Sequence, residues 1–357
     1  MPALRTLLAI PLAMAVLCLG QGSAPGPTAP ADDTLPLLVT RGKAPSAALL
    51  ATAGSTGHFT TTSPSLTRSD HVRAGSITKT FIATVVLQLA AEHRLKLSAR
   101  VTTYLPSLTG TRTLTVRSLL TQTSGLYDFT ATTHGHVPLT PTEVARLSLS
   151  EPRTTQRGTW SYSNTNYVLL GMIIHQVTGQ SYATEARRRI IDPLHLTGTT
   201  FPGTRTTVPS PHGPDAVRLD PRTAGASGEL ISTLPDLNRF YAALLEGRLL
   251  PPGSLRTMLN TRPTNGHYGM GLYPEKLPCG TTVWGHNGRI AHTYIRAAAT
   301  RTGSHIVTYR TTKSTLSGSG APERRILTAE FCHSSPAAQS SPAGQSSPAG
   351  QSSPAGD

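Results

Sequence analysis

Hydrophobic residues form short runs toward both ends of the chain and recur at helical spacing in between. Five short apolar runs near Gly and Pro residues predict strands, at 37–39, 47–51, 280–283, 292–298 and 305–309. Three longer stretches repeat apolar residues at helical spacing, at 76–95, 167–178 and 236–244. Strands at both ends with helices between them predict an α+β fold. We expect an antiparallel sheet built from both chain ends and flanked by helices, with an inserted all-helical subdomain.

The two termini differ in composition from this central part. Arg5, an apolar run at 7–19 and the small residues at 29–31 are typical of a signal peptide over residues 1–31. A membrane anchor is the alternative, but the run is short for a span. Three Gln-Ser-Ser-Pro-Ala-Gly repeats begin at Gln339 and carry no large apolar side chain. These patterns predict a secreted, extracellular protein without a membrane span in its mature form, a folded domain over 32–333 and a disordered tail over 334–357.

Composition and charge narrow the expected partners. Of the 357 residues, 37% are hydrophobic and 14% charged, which is sufficient for a folded core. The net charge of +14 predicts an anionic neighbour such as a cell-wall polymer, and a solvated basic surface is the alternative. Aromatic residues are only 5% and are not interleaved with basic runs, so we expect no nucleic-acid partner. The 13 histidines are scattered, with only His134 and His136 flanking a glycine, and we expect neither metal nor cofactor.

Two of the three cysteines remain if the signal peptide is removed. Cys18 would leave with that peptide, whereas Cys279 and Cys332 lie in the predicted folded domain. An oxidising exterior favours a disulfide between them. Two unrelated buried thiols are the alternative.

Ser76-Ile77-Thr78-Lys79 is the first candidate catalytic motif. Residues three apart share a helix face, so the Ser76 hydroxyl and the Lys79 amine can meet. A serine hydroxyl needs a neighbour that accepts its proton, and lysine serves when its pKa is lowered. Only five of the 32 basic residues are lysines, and only Lys79 has a serine three positions before it. An ordinary helix cap with a surface lysine is the alternative.

Two shorter motifs carry further polar groups. In Tyr162-Ser163-Asn164, alternate side chains of an extended turn predict that Tyr162 and Asn164 face one pocket, where a phenol can relay a proton. A capping turn is the alternative. In His286-Asn287-Gly288, which follows a predicted strand ending at Trp284, the histidine offers a positive charge or a hydrogen bond. Gly288 permits close approach of a ligand, and an edge-strand turn is the alternative.

The order of these motifs resembles the penicillin-recognising serine hydrolases, and particularly the secreted D-alanyl-D-alanine carboxypeptidases, which are similar to class C β-lactamases. The resemblance covers roughly residues 35–333. Besides the three motifs it includes collinear segments at 75–80, 87–89, 103–106, 124–128, 162–167, 268–272, 279–280 and 285–288.

The resemblance implies a role for each motif residue. Ser76 would form an acyl-enzyme while Lys79 and Tyr162 share the proton transfers. Backbone N–H groups of Ser76 and Arg289 would form the oxyanion hole. Asn164 would hold the acyl side chain. His286 would activate the leaving group through Tyr162, with Asn287 and Gly288 beside it in the substrate site. The family also has a disulfide that matches Cys279 and Cys332.

Several positions depart from the family pattern. Asn287 stands where relatives have Thr or Ser, and Arg289 stands where they have Thr. Tyr273 stands where relatives carry an Arg for the substrate carboxylate. Arg289 offers a replacement charge. Gln122, where many relatives have His, is expected to matter less.

The expected function is therefore a monomeric D-alanyl-D-alanine carboxypeptidase or transpeptidase acting on peptidoglycan peptides or β-lactams. The alternatives are a class C-like β-lactamase, an esterase or D-amino-acid amidase, and a weakly catalytic peptidoglycan-binding protein. The absence of Gly-x-Ser-x-Gly in the sequence argues against an α/β-hydrolase esterase.

Overall fold

Strands from the two ends of the chain meet in one antiparallel sheet in the computed structural model, which describes residues 30–203, 220–290, 292–313, 315–318 and 320–332. Within these residues the sheet has six strands in the order β2-β1-β8-β7-β6-β5. Its strands are β1 (Ala47–Ala53), β2 (Thr56–Thr61), β5 (Tyr273–Lys276), β6 (Thr282–Ile290), β7 (Thr293–Thr300) and β8 (His305–Thr311). A separate two-stranded ladder pairs β3 (Val72–Arg73) with β4 (Ile231–Ser232).

Helices pack on both faces of the sheet and fill the middle of the chain. They are α1 (Pro30–Thr34), α2 (Leu37–Thr40), α3 (Thr78–Ala91), α4 (Val101–Tyr104), α5 (Val116–Leu120), α6 (Thr130–Thr133), α7 (Pro141–Ser150), α8 (Asn164–Thr178), α9 (Tyr182–Ala186), α10 (Leu234–Leu245), α11 (Pro252–Met258) and α12 (Ala321–Cys332). The predicted α+β class, with a sheet from both chain ends and an inserted helical region, is confirmed.

Alternation along β1 shows how the sheet separates two cores. Ala48 and Leu50 face the larger core, which contains α3 and the helical region. Leu49 faces the smaller core, which α1, α2 and α12 cover. Successive strand side chains point to opposite faces, so one strand supplies both cores. Helix α3 is buried almost throughout, which places its first turn, and the motif there, deep between the sheet and the helices.

Two predicted strands are wrong in type or extent. Residues 37–39 belong to helix α2, where Pro36 supplies helical backbone angles and Leu38 packs into the smaller core. A three-residue apolar run cannot distinguish a strand from a helical turn. The strand expected at 280–283 instead runs from Thr282 to Ile290, so His286-Asn287-Gly288 lies inside β6 and not after it.

The chain ends are only partly described. The residues 1–29 of the predicted signal peptide and the predicted tail at 334–357 lie outside the described residues, whereas Ala31, at the predicted cleavage site, is fully buried. No helix in the described ranges is long and apolar enough to cross a membrane. Cys279, between β5 and β6, and Cys332, at the end of α12, are joined by a disulfide.

Candidate active site

Ser76 lies in a single 3-10 turn, Gly75–Ile77, directly before α3. The Thr78 hydroxyl donates to the Gly75 carbonyl at 2.7 Å and accepts from the Leu230 amide at 3.1 Å, which fixes the turn to the β4 region. Lys79 is the second residue of α3 and is fully buried. The 3-10 turn and the helix together bring the hydroxyl and the amine to the same side.

The Ser76 hydroxyl receives two hydrogen bonds. Lys79 Nζ donates to Ser76 Oγ at 3.0 Å, and the Tyr162 hydroxyl donates to the same oxygen at 2.8 Å. Tyr162 lies just before α8, as the turn prediction required. The structure therefore brings together the three side chains that the sequence assigned to proton transfer and nucleophilic attack.

Lys79 is surrounded by acceptors that constrain its protonation. Nζ donates to Asn164 Oδ1 at 2.8 Å and to the Ser227 carbonyl at 2.7 Å, besides Ser76. Burial lowers the pKa of Lys79 to about 7, although the charge of Asp128 acts in the opposite direction. The amide oxygen and the carbonyl oxygen can only accept hydrogen bonds. The two hydrogens of a neutral amine would therefore point to these two oxygens. The lone pair of that amine is then directed at Ser76, as a general base requires.

Asn164 connects the lysine to an acidic side chain. Its Nδ2 donates to both carboxylate oxygens of Asp128, at 3.0 and 3.3 Å, and to Thr130 Oγ1 at 3.2 Å. Its Oδ1 is therefore oriented toward Lys79. Because both ends of the amide are engaged, Asn164 would have to exchange one of these bonds to hold a substrate acyl group.

Tyr162 is held as a neutral phenol. Burial raises its pKa well above the usual value for tyrosine, so it stays protonated at neutral pH. Lys79 Nζ lies 4.9 Å from the centre of its ring, within the range of a cation–π contact. In the resting site Tyr162 is therefore the donor in its hydrogen bond to Ser76.

Of the two roles that the sequence left open for His286, a positive charge or a hydrogen bond, the structure favours the hydrogen bond. Its Nδ1 lies 2.6 Å from the Asn287 carbonyl, which only accepts, so Nδ1 carries the hydrogen. Nε2 is therefore the acceptor for the Tyr268 hydroxyl at 3.0 Å. Burial, with Lys79 nearby, lowers the pKa of His286 to about 3. Its ring centre lies 6.3 Å from that of Tyr162, and no hydrogen bond joins the two within the described chain.

The end of β6 lies against the nucleophile segment. A Cβ at Gly288 would lie 1.9 Å from the Ala74 carbonyl oxygen, so only glycine fits there. The Arg289 backbone nitrogen lies 2.8 Å from the ideal Cβ position of Gly75. The Arg289 backbone nitrogen therefore lies beside Gly75, the residue that precedes Ser76. The Arg289 side chain is exposed, and its guanidinium lies 5.4 Å from the Tyr294 ring centre.

The position of the missing carboxylate-binding Arg is occupied by an aromatic side chain. The Tyr273 hydroxyl donates to Asn287 Oδ1 at 3.2 Å. Its ring covers the guanidinium of Arg296 at 4.4 Å, and Arg296 is buried and paired with Glu275. Arg296 is thus engaged beneath the ring of Tyr273.

Three residues of the site carried no assigned role in the sequence reasoning. Gln122 Oε1 accepts from the Ser163 amide at 3.1 Å and also from Asn166 Nδ2, so it fixes the Tyr162 turn. Asp128 orients Asn164, and Ser227 supplies a carbonyl to Lys79. Gln122 and Asp128 lie in or beside segments that match the family pattern, which was the available signal. Nothing in the sequence distinguishes Ser227.

A cleft of about 590 Å³ opens at Ser76. Its described lining residues are Gly75, Ser76, Thr130, His134, Gly135, His136, Asn164, Thr223, Ala224, Ser227, Gly228, Arg289, Ile290, His292 and Thr315. This described lining includes three histidines and one arginine but no carboxylate. A volume of this size is typical of a small-molecule site.

The chain is also similar in sequence to a known protein family and to curated proteins. The model of the β-lactamase family matches residues 26–330. Penicillin-binding protein 4 of Amycolatopsis lactamdurans is 31% identical over 217 residues, which is 54% of this chain and 55% of that protein. The chain spans about half the length of the first curated relatives that it matches.

Similar solved structures cover more of the molecule. A D-stereospecific amidohydrolase from Streptomyces sp. superposes with a TM-score of 0.78 at 36% identity, over 86% of this chain and 99% of that one. A D-amino acid amidase from Ochrobactrum anthropi SV3, solved with L-phenylalanine, gives a TM-score of 0.73 at 26% identity, over 80% of this chain and 93% of that one.

Proposed function

The chain belongs to the β-lactamase family of serine hydrolases, and from that membership we propose that it cleaves amide bonds on the carbonyl side of D-amino acid residues. The reaction proceeds through a covalent acyl-enzyme on Ser76. The observation that supports it most directly is the pair of hydrogen bonds that Ser76 Oγ receives from Lys79 and Tyr162. Lys79 would serve as the base for the Ser76 proton, and Tyr162, bonded to the same oxygen, would serve as the acid for the leaving group.

The geometry assigns the steps as follows. Neutral Lys79 takes the hydroxyl proton while Ser76 Oγ bonds to the substrate carbonyl carbon, and the carbonyl electron pair moves to its oxygen. The backbone N–H groups of Ser76 and Arg289 stabilise that oxyanion. Tyr162 then donates its proton to the leaving nitrogen as the carbon–nitrogen bond breaks, and the proton on Lys79 restores the phenol. Water repeats the sequence in reverse and releases the acid.

The surroundings of Tyr273 favour a neutral leaving group. A free terminal carboxylate needs a cation, whereas Tyr273 occupies the usual position and is bonded to Asn287. Arg296 lies beneath the Tyr273 ring and is paired with Glu275. The similarity to a D-stereospecific amidohydrolase supports the same choice. We therefore place D-amino acid amides and esters first among the substrates.

A second candidate is the D-alanyl-D-alanine carboxypeptidase expected from the sequence. It is favoured by Arg289, a residue of the cleft lining whose exposed guanidinium, 5.4 Å from the Tyr294 ring centre, would offer a cation for a carboxylate after a change of rotamer. The likeness to a penicillin-binding protein favours it as well. The predicted signal peptide and the charge of +14 support action outside the cell, close to an anionic wall.

One set of assays separates these candidates. The full chain is incubated with D- and L-phenylalanine amide, with a peptide ending in D-Ala-D-Ala, and with a fluorescent penicillin. Ser76→Ala is the test variant, and Ser150→Ala, at the exposed end of α7, is the matched control. We expect cleavage of the D-amide in preference to the L-amide, and its loss only in Ser76→Ala.

Other results identify the alternatives. Cleavage of the D-Ala-D-Ala peptide without amide cleavage favours the carboxypeptidase. Rapid turnover of penicillin favours a β-lactamase. Stable penicillin labelling without cleavage of any substrate contradicts the proposed activity and favours a binding protein.

A further inference from the structure

A second cavity lies behind the catalytic cleft, on the other side of the segment 221–229. Its volume is about 410 Å³. Thr223, Ala224, Ser227 and Gly228 of this segment line the catalytic cleft, whereas Arg222, Gly225, Ala226 and Glu229 line the second cavity. The two cavities therefore share this segment as a wall, which we call the dividing turn.

The second cavity has apolar walls and one buried carboxylate. The apolar lining comes from several helices and the dividing turn, and includes Leu105, Leu139, Val144, Val168, Met172 and Ala226. Glu229 is only 5% exposed, and its Oε1 accepts a hydrogen bond from the Tyr182 hydroxyl at 2.8 Å. Within the described chain no Lys, Arg or His forms an ion pair with Glu229, although His175 and Arg222 also line the cavity.

This combination selects a particular kind of ligand. Burying a carboxylate without a cation is costly, and burial raises the pKa of Glu229 to about 7. An ammonium group beside Glu229 would offset that cost, and the apolar walls would bury an aromatic or branched body. We propose that the second cavity binds a small apolar molecule carrying one amine, and that its occupancy alters the reactivity of Ser76.

The dividing turn provides the physical connection between the two cavities. A Cβ at Gly171 of α8 would lie 2.8 Å from Ala226 Cβ and 3.0 Å from the Tyr182 ring, so helix, turn and ring are in close contact. The next residue, Ser227, accepts the hydrogen bond from Lys79 at 2.7 Å. A ligand that packs against Ala226 and Glu229 therefore acts on a segment that directly contacts the catalytic base.

Binding is tested with 2-phenylethylamine and with its neutral counterpart 2-phenylethanol, by isothermal titration at about pH 8.5, where Glu229 is ionised and the amine still protonated. Three variants of the full chain are compared with the wild type. Glu229→Gln removes the charge, Met172→Trp fills the cavity, and Glu151→Gln, at an exposed site, is the matched control.

We expect the amine to bind the wild type and Glu151→Gln at least about tenfold more tightly than the alcohol does, and this preference to disappear in Glu229→Gln. Met172→Trp should bind neither probe. Equal binding of the amine to the wild type and Glu229→Gln overturns the ligand class. Unchanged binding to Met172→Trp overturns the location, because a probe in the catalytic cleft would not be displaced.

The link to Ser76 is measured separately, as the rate of labelling by fluorescent penicillin with and without the amine. We expect saturating amine to change this rate at least about twofold in the wild type and not in Glu229→Gln. Saturable binding without any change in rate overturns the coupling. The binding measurement does not depend on turnover, so it can fail or succeed independently of the proposed amidase activity.

Discussion

At the scale of single residues, the acceptors around Lys79 support the proposal that Lys79 acts as the base. The Asn164 amide oxygen and the Ser227 carbonyl retain two hydrogens on Nζ whatever its charge. The third position on Nζ faces Ser76. It holds a hydrogen when Lys79 is charged and a lone pair when Lys79 is neutral, so deprotonation of Lys79 changes only its contact with the nucleophile. Tyr162, with its raised pKa, cannot take this role in the resting enzyme.

The pH dependence of acylation follows from this arrangement. Because neutral Lys79 is the active form and its pKa is about 7, kcat/KM should rise with pH through about 7 and fall about tenfold per unit below it. Initial rates on an N-acylated D-amino acid amide, which has no amine that titrates over this range, provide the measurement. A profile that is flat from about pH 5 to 9, or that falls as pH increases, contradicts Lys79 as the base.

Replacement of the lysine by arginine tests the same role at constant charge. Arginine keeps its proton, so Lys79→Arg should lower the rate of penicillin labelling by about a hundredfold or more. Lys276→Arg, at an exposed position of β5, is the matched control and should label as the wild type does. Circular dichroism shows whether the variant is folded, and normal labelling of a folded Lys79→Arg contradicts the assignment.

Gln122 shows which kind of residue escapes sequence reasoning. It was expected to matter little, yet it is fully buried and accepts hydrogen bonds from Ser163 and Asn166. These contacts link positions about forty residues apart, and no local pattern reports them. Asp128 and Ser227 are similar cases, whereas the Ser76–Lys79 pair was predictable because helical spacing alone brings the two side chains together.

Removal of this acceptor should weaken the fold around the turn. Gln122→Ala leaves the Ser163 amide and Asn166 without their buried acceptor, so the free energy of unfolding should fall by about 1–3 kcal/mol. Urea denaturation measures this difference. Gln156→Ala, at an exposed position, should change stability by less than about 0.5 kcal/mol. Equal stability of the two variants would show that Gln122 does not support the turn.

At the scale of elements, β6 explains why the third motif was placed wrongly. The predicted strand ended at Trp284, and Gly288 was expected to permit close approach of a ligand. Within a strand a glycine also permits close approach of another backbone. Here that backbone is the segment before Ser76. This segment is distant from β6 in the sequence, so a local sequence pattern could not indicate the contact. The long helices α3 and α8 were predictable because apolar residues recur at helical spacing over several turns.

The contact between β6 and the nucleophile segment can be tested by adding one methyl group. In Gly288→Ala the new Cβ would meet the Ala74 carbonyl at 1.9 Å, so the strand end must move away from Ser76. We expect penicillin labelling to slow by about a hundredfold, since one oxyanion donor is displaced. Gly57→Ala on β2 meets no atom closer than 3.6 Å and should label normally. Equal rates in both variants contradict the proposed oxyanion hole.

At the scale of the whole molecule, the fold class was predictable because it follows from the order of strand and helix patterns along the chain. Errors in the bounds or type of a single element do not change that order. Misplacing residues 37–39 and the start of β6 did not alter the expectation of a sheet from both ends. The strand order was not predictable, since it depends on pairings between distant segments such as β1 and β8.

The disulfide should contribute to the stability of the whole domain. It closes a loop with a sequence separation of 53 residues, which in the chain-entropy model stabilises the folded state by about 4 kcal/mol. The double variant Cys279→Ala with Cys332→Ala should therefore unfold at a lower urea concentration than the wild type. Reduction should lower the wild-type midpoint and leave that of the double variant unchanged. Identical midpoints for the oxidised wild type and the double variant would exclude this contribution.

The pairing of β1 with β8 has a consequence for biosynthesis. Leu50 of β1 pairs with Thr308 of β8, so β1 is synthesised more than two hundred residues before the strand with which it pairs. Until then the β1 edge of the N-terminal hairpin lacks its neighbour β8, whereas β2 is an edge strand of the finished sheet as well. If a translocation channel engaged the nascent chain during synthesis, the sheet would therefore not yet have formed and the chain could still pass through. The sheet would close only after nearly all of the polypeptide has crossed.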